Sequence, residues 1–260
     1  MRILQLMDEG NAKRKISDAK ETKKVPKKIV PMEKCTKTRV ARLKSSNLPT
    51  LDVLYTNADQ LTSSKMTELK KLVERKKPFV IAVCEVKPKH RKTKRSEKDY
   101  EIPNYTLHPT NLYNDDGPGI AVYTHQSLDK STIQIKSNQD FQEVCLLEIR
   151  LRGGDTLLFG CCYRSPTTTD NTNANNDNLI RLMKCVSLKK YSHICIVGDF
   201  NFKSIDWSTW RSKLGDNSNE SKFIEGVRDS YLYQHVESPT RARGNDDPSI
   251  LDLVLTNKEM

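Results

Sequence analysis

Ile194-Cys195-Ile196-Val197-Gly198-Asp199-Phe200-Asn201 begins as an apolar, β-branched run and ends on a carboxylate. Such a run predicts a buried strand. A buried strand has no structural need of an acid, so Asp199 marks the point where the strand hands over to something polar. Gly198 lets the backbone turn or pack closely just before it. Asp199 and Asn201 are two residues apart, and an extended chain shows both side chains on one side. A carboxylate and an amide displayed together can orient a water, a metal ion or a phosphate. An Asp after a strand also caps turns and helices, so the rest of the chain has to decide between the two readings.

Working outward, the same pattern recurs. Leu51 to Thr56 reads as a strand ending at Asn57, and Phe79 to Cys84 as a fully buried strand ending abruptly at Glu85. Gly119 to Tyr123 is a further strand. Val144 to Arg150 and Thr156 to Tyr163 predict a hairpin around Gly153-Gly154. Ile250 to Leu255 is the last strand. Between the strands, Met66, Leu69, Leu72 and Val73 share one helical face, and so do Leu179, Leu182, Met183 and Val186, with Asp177 as the expected cap. A shorter helix is expected over Glu220 to Val227. Pro166 to Asp177, rich in Thr, Asn and Asp, reads as a mobile loop. The class is α/β.

Asn57, Glu85, Tyr163 and Asp199 thus each follow an apolar strand at its C-terminal end. Strands running the same way through a layered α/β domain bring such ends to one edge, where ligand sites form. Asp252 lies inside an apolar strand, where an unpaired carboxylate is costly; it belongs to the site or is a structural Asp bonded to a backbone or Arg partner. Carboxylates with an Asn and little His suit a hard cation, Mg²⁺ or Mn²⁺. Such an ion polarises a phosphoryl oxygen. Asp199 can orient and deprotonate a water, Tyr and Asn can hydrogen-bond developing charge, and nearby Lys and Arg can hold a polyanion.

The formal net charge of the 260 residues is +11, of which residues 1–47 carry +9. We read 1–47 as a disordered basic arm suited to nucleic acid, and 48–260 as a near-neutral folded domain. Lys87 to Lys98 holds seven Lys and Arg against one acid and reads as an exposed loop. The seven cysteines form no C-x-x-C pair, and five of them lie in apolar strands as small hydrophobes. No signal-peptide core and no run of transmembrane length is seen, so the expected setting is the nucleus or cytoplasm, without a membrane.

The order Asn57-Ala58-x-x-Leu61, Glu85, Tyr163-Arg164-x-Pro166, Gly198-Asp199-Phe200-Asn201 and Leu251-Asp252-Leu253-Val254-Leu255-Thr256 resembles the endonuclease/exonuclease/phosphatase superfamily. Within it, the chain is most similar to the endonuclease domain of LINE-type (non-LTR) retrotransposons. The resemblance implies a DNase I-like four-layered α/β sandwich, two mixed β-sheets flanked by helices, and metal-dependent phosphodiester cleavage. It implies Glu85 as an Mg²⁺ ligand with Asn57 beside it, Asp199 orienting water, Asn201 on the phosphate and Tyr163 supporting the transition state. Asp252 matches the family's later acid. Thr240 matches its phosphate-contacting Thr, with Arg164 on the same DNA-binding side. Lys87, Lys89, Arg91, Lys92, Lys94 and Arg95 follow the metal ligand directly and are expected to contact DNA.

The family continues past the last strand to a Ser-Asp-His motif, which this chain reaches Met260 without showing. The expectation is therefore a C-terminally truncated domain, derived from an element whose reverse transcriptase would be its partner. Three activities are open: a DNA-nicking endonuclease, a catalytically inactive nucleic-acid-binding module, and a phosphoesterase acting on inositol phosphate or phospholipid headgroups.

Overall fold

The computed structural model of the chain describes residues 2–5, 50–88, 96–113, 117–136, 140–166, 172–242 and 247–259. In chain order the strands are β1 (Arg2–Gln5), β2 (Asp52–Asn57), β3 (Val80–Cys84), β4 (Tyr105–Thr110), β5 (Ile120–His125), β6 (Thr132–Ile135), β7 (Val144–Arg150), β8 (Thr156–Tyr163), β9 (His193–Asp199), β10 (Ile205–Asp206), β11 (Arg211–Ser212), β12 (Tyr233–Gln234) and β13 (Asp252–Thr256). The helices are α1 (Ser63–Lys76), α2 (Thr172–Leu188) and α3 (Asn219–Asp229).

Two mixed sheets dominate. One has the order β1-β2-β3-β5-β4 and the other β12-β13-β9-β8-β7-β6; β10 and β11 form a separate small pair. Strand β9 pairs in parallel with β8 and antiparallel with β13, so the Ile194 to Asp199 run lies in the middle of its sheet. Its alternation sorts the core. Cys195 and Val197 face the other sheet, where they meet Val53, Tyr55, Ala82 and Cys84, with Phe159 of neighbouring β8 beside them. Ile194 and Ile196 face outward onto α2 and α3 through Leu182, Met183 and Phe223. On the far side, α1 covers Leu54, Ile81 and Val83 with Met66, Leu69 and Val73. The result is four layers, helix–sheet–sheet–helix, as expected from the sequence.

Gly198 is needed for close approach. It pairs with Cys162, and a Cβ there would sit 2.0 Å from the Cys162 carbonyl oxygen. The hairpin of β7 and β8 turns through Gly153 and Gly154, both at positive φ, 84° and 88°; glycine adopts such angles at little cost.

Three expectations are corrected. Asp177 does not cap a helix: α2 starts at Thr172, so the expected loop ends early and Asp177 sits exposed within the helix. In the first turns of α2, Asn176 is buried and accepts from the Arg164 guanidinium. Residues 167–171 of that loop lie outside the described residues. Arg2–Gln5, assigned to the basic arm, form an edge strand paired in parallel with β2; residues 6–47 are likewise outside the described residues.

Candidate active site

Period-two alternation carries the inter-sheet face out to one edge. Tyr55 is followed on that face by Asn57, Cys161 by Tyr163, and Val197 by Asp199. Strands β2 and β3 run parallel to each other, as do β8 and β9, and β13 enters from the same edge with Asp252 directly opposite Asp199. The four strand-end residues and Asp252 therefore meet where the two sheets open to solvent.

Asn57 is the link between the sheets. Its Nδ2 donates to Asp199 Oδ2 at 2.8 Å and to Glu85 Oε1 at 3.3 Å. The amide is held in that sense because Asn57 Oδ1 accepts from the Asp59 backbone N–H at 2.8 Å. Asp199 Oδ1 accepts from the Asn201 N–H at 3.0 Å. The Tyr163 phenol lies close enough to the Glu85 carboxylate to feel its charge. Behind Asp199, the buried Tyr55 hydroxyl donates to Asp252 Oδ1 at 2.7 Å. Asp252 is thus at once a buried, hydrogen-bonded acid and a neighbour of the site.

The backbone is strained where the side chains converge. Glu85 has φ 49°, Asn201 φ 52°, Asp59 φ 39° and Gln60 φ 71°. A left-handed Glu costs energy that ordinary packing does not demand. Here it turns the chain as β3 ends, and backbone bonds from Ala58, Gln60 and Leu61 to the carbonyls of Cys84, Glu85 and Val86 fix the turn.

Burial sets the electrostatics. It pushes the Asp199 carboxyl up to about 7, with the Asp252 carboxylate adding to the rise and the Asn57 and Asn201 donors opposing it. Burial also raises Asp252, against the hydrogen bonds from Tyr55 and Thr240. Burial, then the Glu85 carboxylate, holds Tyr163 protonated far above the usual phenol range. Removing the Tyr55 hydroxyl would leave a buried carboxylate oxygen without its donor. Tyr55→Phe should therefore lower the unfolding free energy by about 1–3 kcal/mol, read as a shift in denaturant midpoint at unchanged slope.

These donors suit a hard divalent cation. They are oxygens, they are partly exposed at Glu85, and their charge is uncompensated by any described ion pair at the rim. Mg²⁺ is commonly held by one or two carboxylates, with waters and substrate phosphate completing the shell. No group of three His, Cys, Asp or Glu side chains able to enclose an ion occurs among the described residues, so the chemistry fits an open site rather than a cage.

Not every expected residue reaches the edge. Arg164 is 6% exposed. Its guanidinium donates to Asn176 Oδ1 at 2.6 Å and to the Phe200 and Asn201 carbonyls at 3.3 Å each, and it stacks 4.0 Å from the Phe202 ring. Arg164 therefore braces the loop after Asp199 from inside, and its burial disfavours the expected contact with DNA. Thr240 Oγ1 accepts from the Leu251 and Asp252 N–H groups at 3.0 and 3.1 Å, so it anchors the start of β13 beside Asp252. The Asn201 side-chain amide donates to the Arg164 carbonyl at 2.8 Å and ties two loops together. Lys87 is described and half-buried, whereas Lys89, Arg91, Lys92, Lys94 and Arg95 lie outside the described residues.

The sequence reading passed over residues that build the site. Asp59 orients Asn57, Tyr55 supports Asp252, and Glu143 binds Ser165 through its Oε1 at 2.5 Å and the Tyr163 N–H through its carbonyl at 3.0 Å. Tyr55 was detectable, since it shares strand parity with Asn57. Glu143 has no sequence signal, because its partners are 20 or more residues away.

The fold has solved relatives. The endonuclease domain of TRAS1, a telomere-specific non-LTR retrotransposon, is 15% identical, with a TM-score of 0.52 over 78% of this chain and 82% of its own. The AP endonuclease LMAP from Leishmania major is 13% identical, with a TM-score of 0.59 over 78% of each chain. TDP2 from D. rerio, solved with a single strand DNA product, is 11% identical, with a TM-score of 0.50 over 78% of this chain and 82% of its own. No curated protein matches the sequence. No helix among the described residues is long and apolar enough to cross a membrane. The chain thus shares its fold with these proteins, and its residues 157–260 match the family described as Endonuclease-reverse transcriptase.

Proposed function

We propose that the chain is a metal-dependent phosphodiesterase that nicks DNA at the edge formed by Asn57, Glu85, Tyr163, Asp199 and Asp252. The observation that carries this reading is the Asn57 amide, which holds the Glu85 and Asp199 carboxylates together across two sheets. Glu85 holds Mg²⁺ or Mn²⁺, with Asn57 setting the position of the carboxylate. The ion, when bound, supplies a Lewis acid for the phosphoryl oxygen. Asp199, desolvated and fixed by two donors, orients the attacking water and takes its proton. Tyr163, kept protonated, donates to charge that develops on the phosphate. DNA is the proposed substrate because the relatives by fold include a retrotransposon endonuclease and a protein with a DNA product. The reverse transcriptase of a parent element is the corresponding partner.

Glu85→Gln keeps the shape and removes the charge on the ion. The Mg²⁺ concentration for half-maximal nicking should rise by roughly tenfold or more, since a lost ligand charge weakens a hard-cation site directly. A titration of nicking against Mg²⁺ reads this. An unchanged midpoint would remove Glu85 from the metal site.

A further inference from the structure

Lys65 occupies a place that its own helix disfavours. It is the third residue of α1, whose first turn contains no acid. A helix N-terminus carries partial positive charge, so a cation there is repelled. Local rules broken without local compensation point to a role elsewhere.

The compensation lies in the loop that follows Asn57. Lys65 Nζ donates to the Ala58 carbonyl at 2.6 Å and to the Asp59 carbonyl at 3.1 Å. Two consecutive carbonyls aimed at one point repel each other unless a cation sits between them. They are held that way in a turn where Asp59 and Gln60 both have positive φ. The Asp59 N–H in this turn fixes Asn57 Oδ1 and so aims Asn57 Nδ2 at Asp199 and Glu85. The neighbouring amides of Ala58 and Gln60 bind the carbonyls of Cys84 and Glu85, which couples the turn to the backbone of the carboxylate itself.

We infer that Lys65 is a positioning residue of the candidate active site: its ammonium clamps the turn over Ala58 and Asp59, and the clamped turn keeps the Asn57 amide on the two carboxylates. This deepens the nuclease reading and rests on it for its functional consequence, though not for its structural one. The clamp needs a cation with free N–H donors. It is not a demand of the helix, since the Thr62 cap bonds the Lys65 backbone N–H independently of the side chain.

The test uses Lys65→Met, which keeps the aliphatic stem, and Lys65→Arg, which restores the charge. The first readout needs no catalysis. In isotope-labelled protein, the Asn57 side-chain amide resonances are assigned by their loss in Asn57→Ala. They should shift and broaden in Lys65→Met, return towards the parent positions in Lys65→Arg, and do so with the melting temperature of Lys65→Met within a few degrees of the parent. The second readout is plasmid nicking, which should fall by roughly 10- to 100-fold in Lys65→Met and recover in part in Lys65→Arg, the range expected for small misplacements of a reacting group. Unmoved Asn57 resonances in Lys65→Met would overturn the inference, as would a loss of melting temperature that accounts for the whole loss of rate. If the parent chain does not nick, the nuclease reading fails while the resonance test still decides the clamp.

Discussion

Asp199→Ala is expected to lower DNA nicking by roughly 10²- to 10⁴-fold, the range for loss of a general base, and to leave the fold intact. The same substitution should reverse sign in a stability measurement as pH changes. Burial, with Asp252 nearby, lifts the Asp199 carboxyl up to about 7 in the folded chain. An acid whose folded pKa lies above its unfolded value of ~3.9 binds more protons folded than unfolded between the two values, so it costs stability increasingly as pH rises through that window. Above about 7 the full cost is present; below the unfolded value it vanishes. Asp199→Ala removes the cost together with two hydrogen bonds. With chelator present, the variant should therefore gain about 2 kcal/mol on the parent chain between about pH 5 and about pH 8. Denaturant titrations of both proteins across that range would show it. Parallel pH profiles would mean that Asp199 is not a desolvated acid and is a poor candidate for the base.

The second large effect is structural. Gly198→Ala places a methyl group 2.0 Å from the Cys162 carbonyl oxygen, and the neighbouring Cys162 carbonyl carbon and amide nitrogen are within 3.0 Å. The obstacle is backbone in the central pair of a sheet, so nothing flexible can move aside. Overpacking of this kind costs roughly 3 kcal/mol or more, and β8 and β9 would have to part at the residues that carry Tyr163 and Asp199. We expect Gly198→Ala to express poorly or to melt far below the parent chain, and any folded fraction to have lost nicking. A variant that melts with the parent would show that β8 and β9 are not this close.

Asp199, Glu85, Asn57 and Tyr163 could be read from sequence for a common reason. Each ends an apolar run, and a polar side chain at the end of a buried strand shows without knowledge of the fold. The layers were legible through the same runs and through the helical spacing of Met66, Leu69 and Val73. Strand β4 was not, because all six of its residues are half-buried and it contains Pro109, so neither alternation nor a continuous apolar run appears. Strands β10, β11 and β12 are two residues each, too short for any period. Arg164 lies next to Tyr163 in sequence, yet it turns inward onto Asn176 and Phe202. Adjacency along the chain cannot separate a side chain that faces the ligand from one that braces the loop. Lys65 was passed over for the opposite reason: among the many lysines of α1 it looked like part of a solvated face.

The central claim is that the edge where the two sheets open is a metal-dependent nuclease site. Incubating the 260-residue chain with supercoiled plasmid in Mg²⁺ at low salt tests it most directly, with chelator and Asp199→Ala as paired controls. The account predicts open-circular product from the parent chain and none in either control. Folded parent protein that binds the plasmid and leaves it supercoiled would contradict the account and favour a binding module, and turnover of inositol phosphates in its place would assign the same site to a headgroup phosphoesterase.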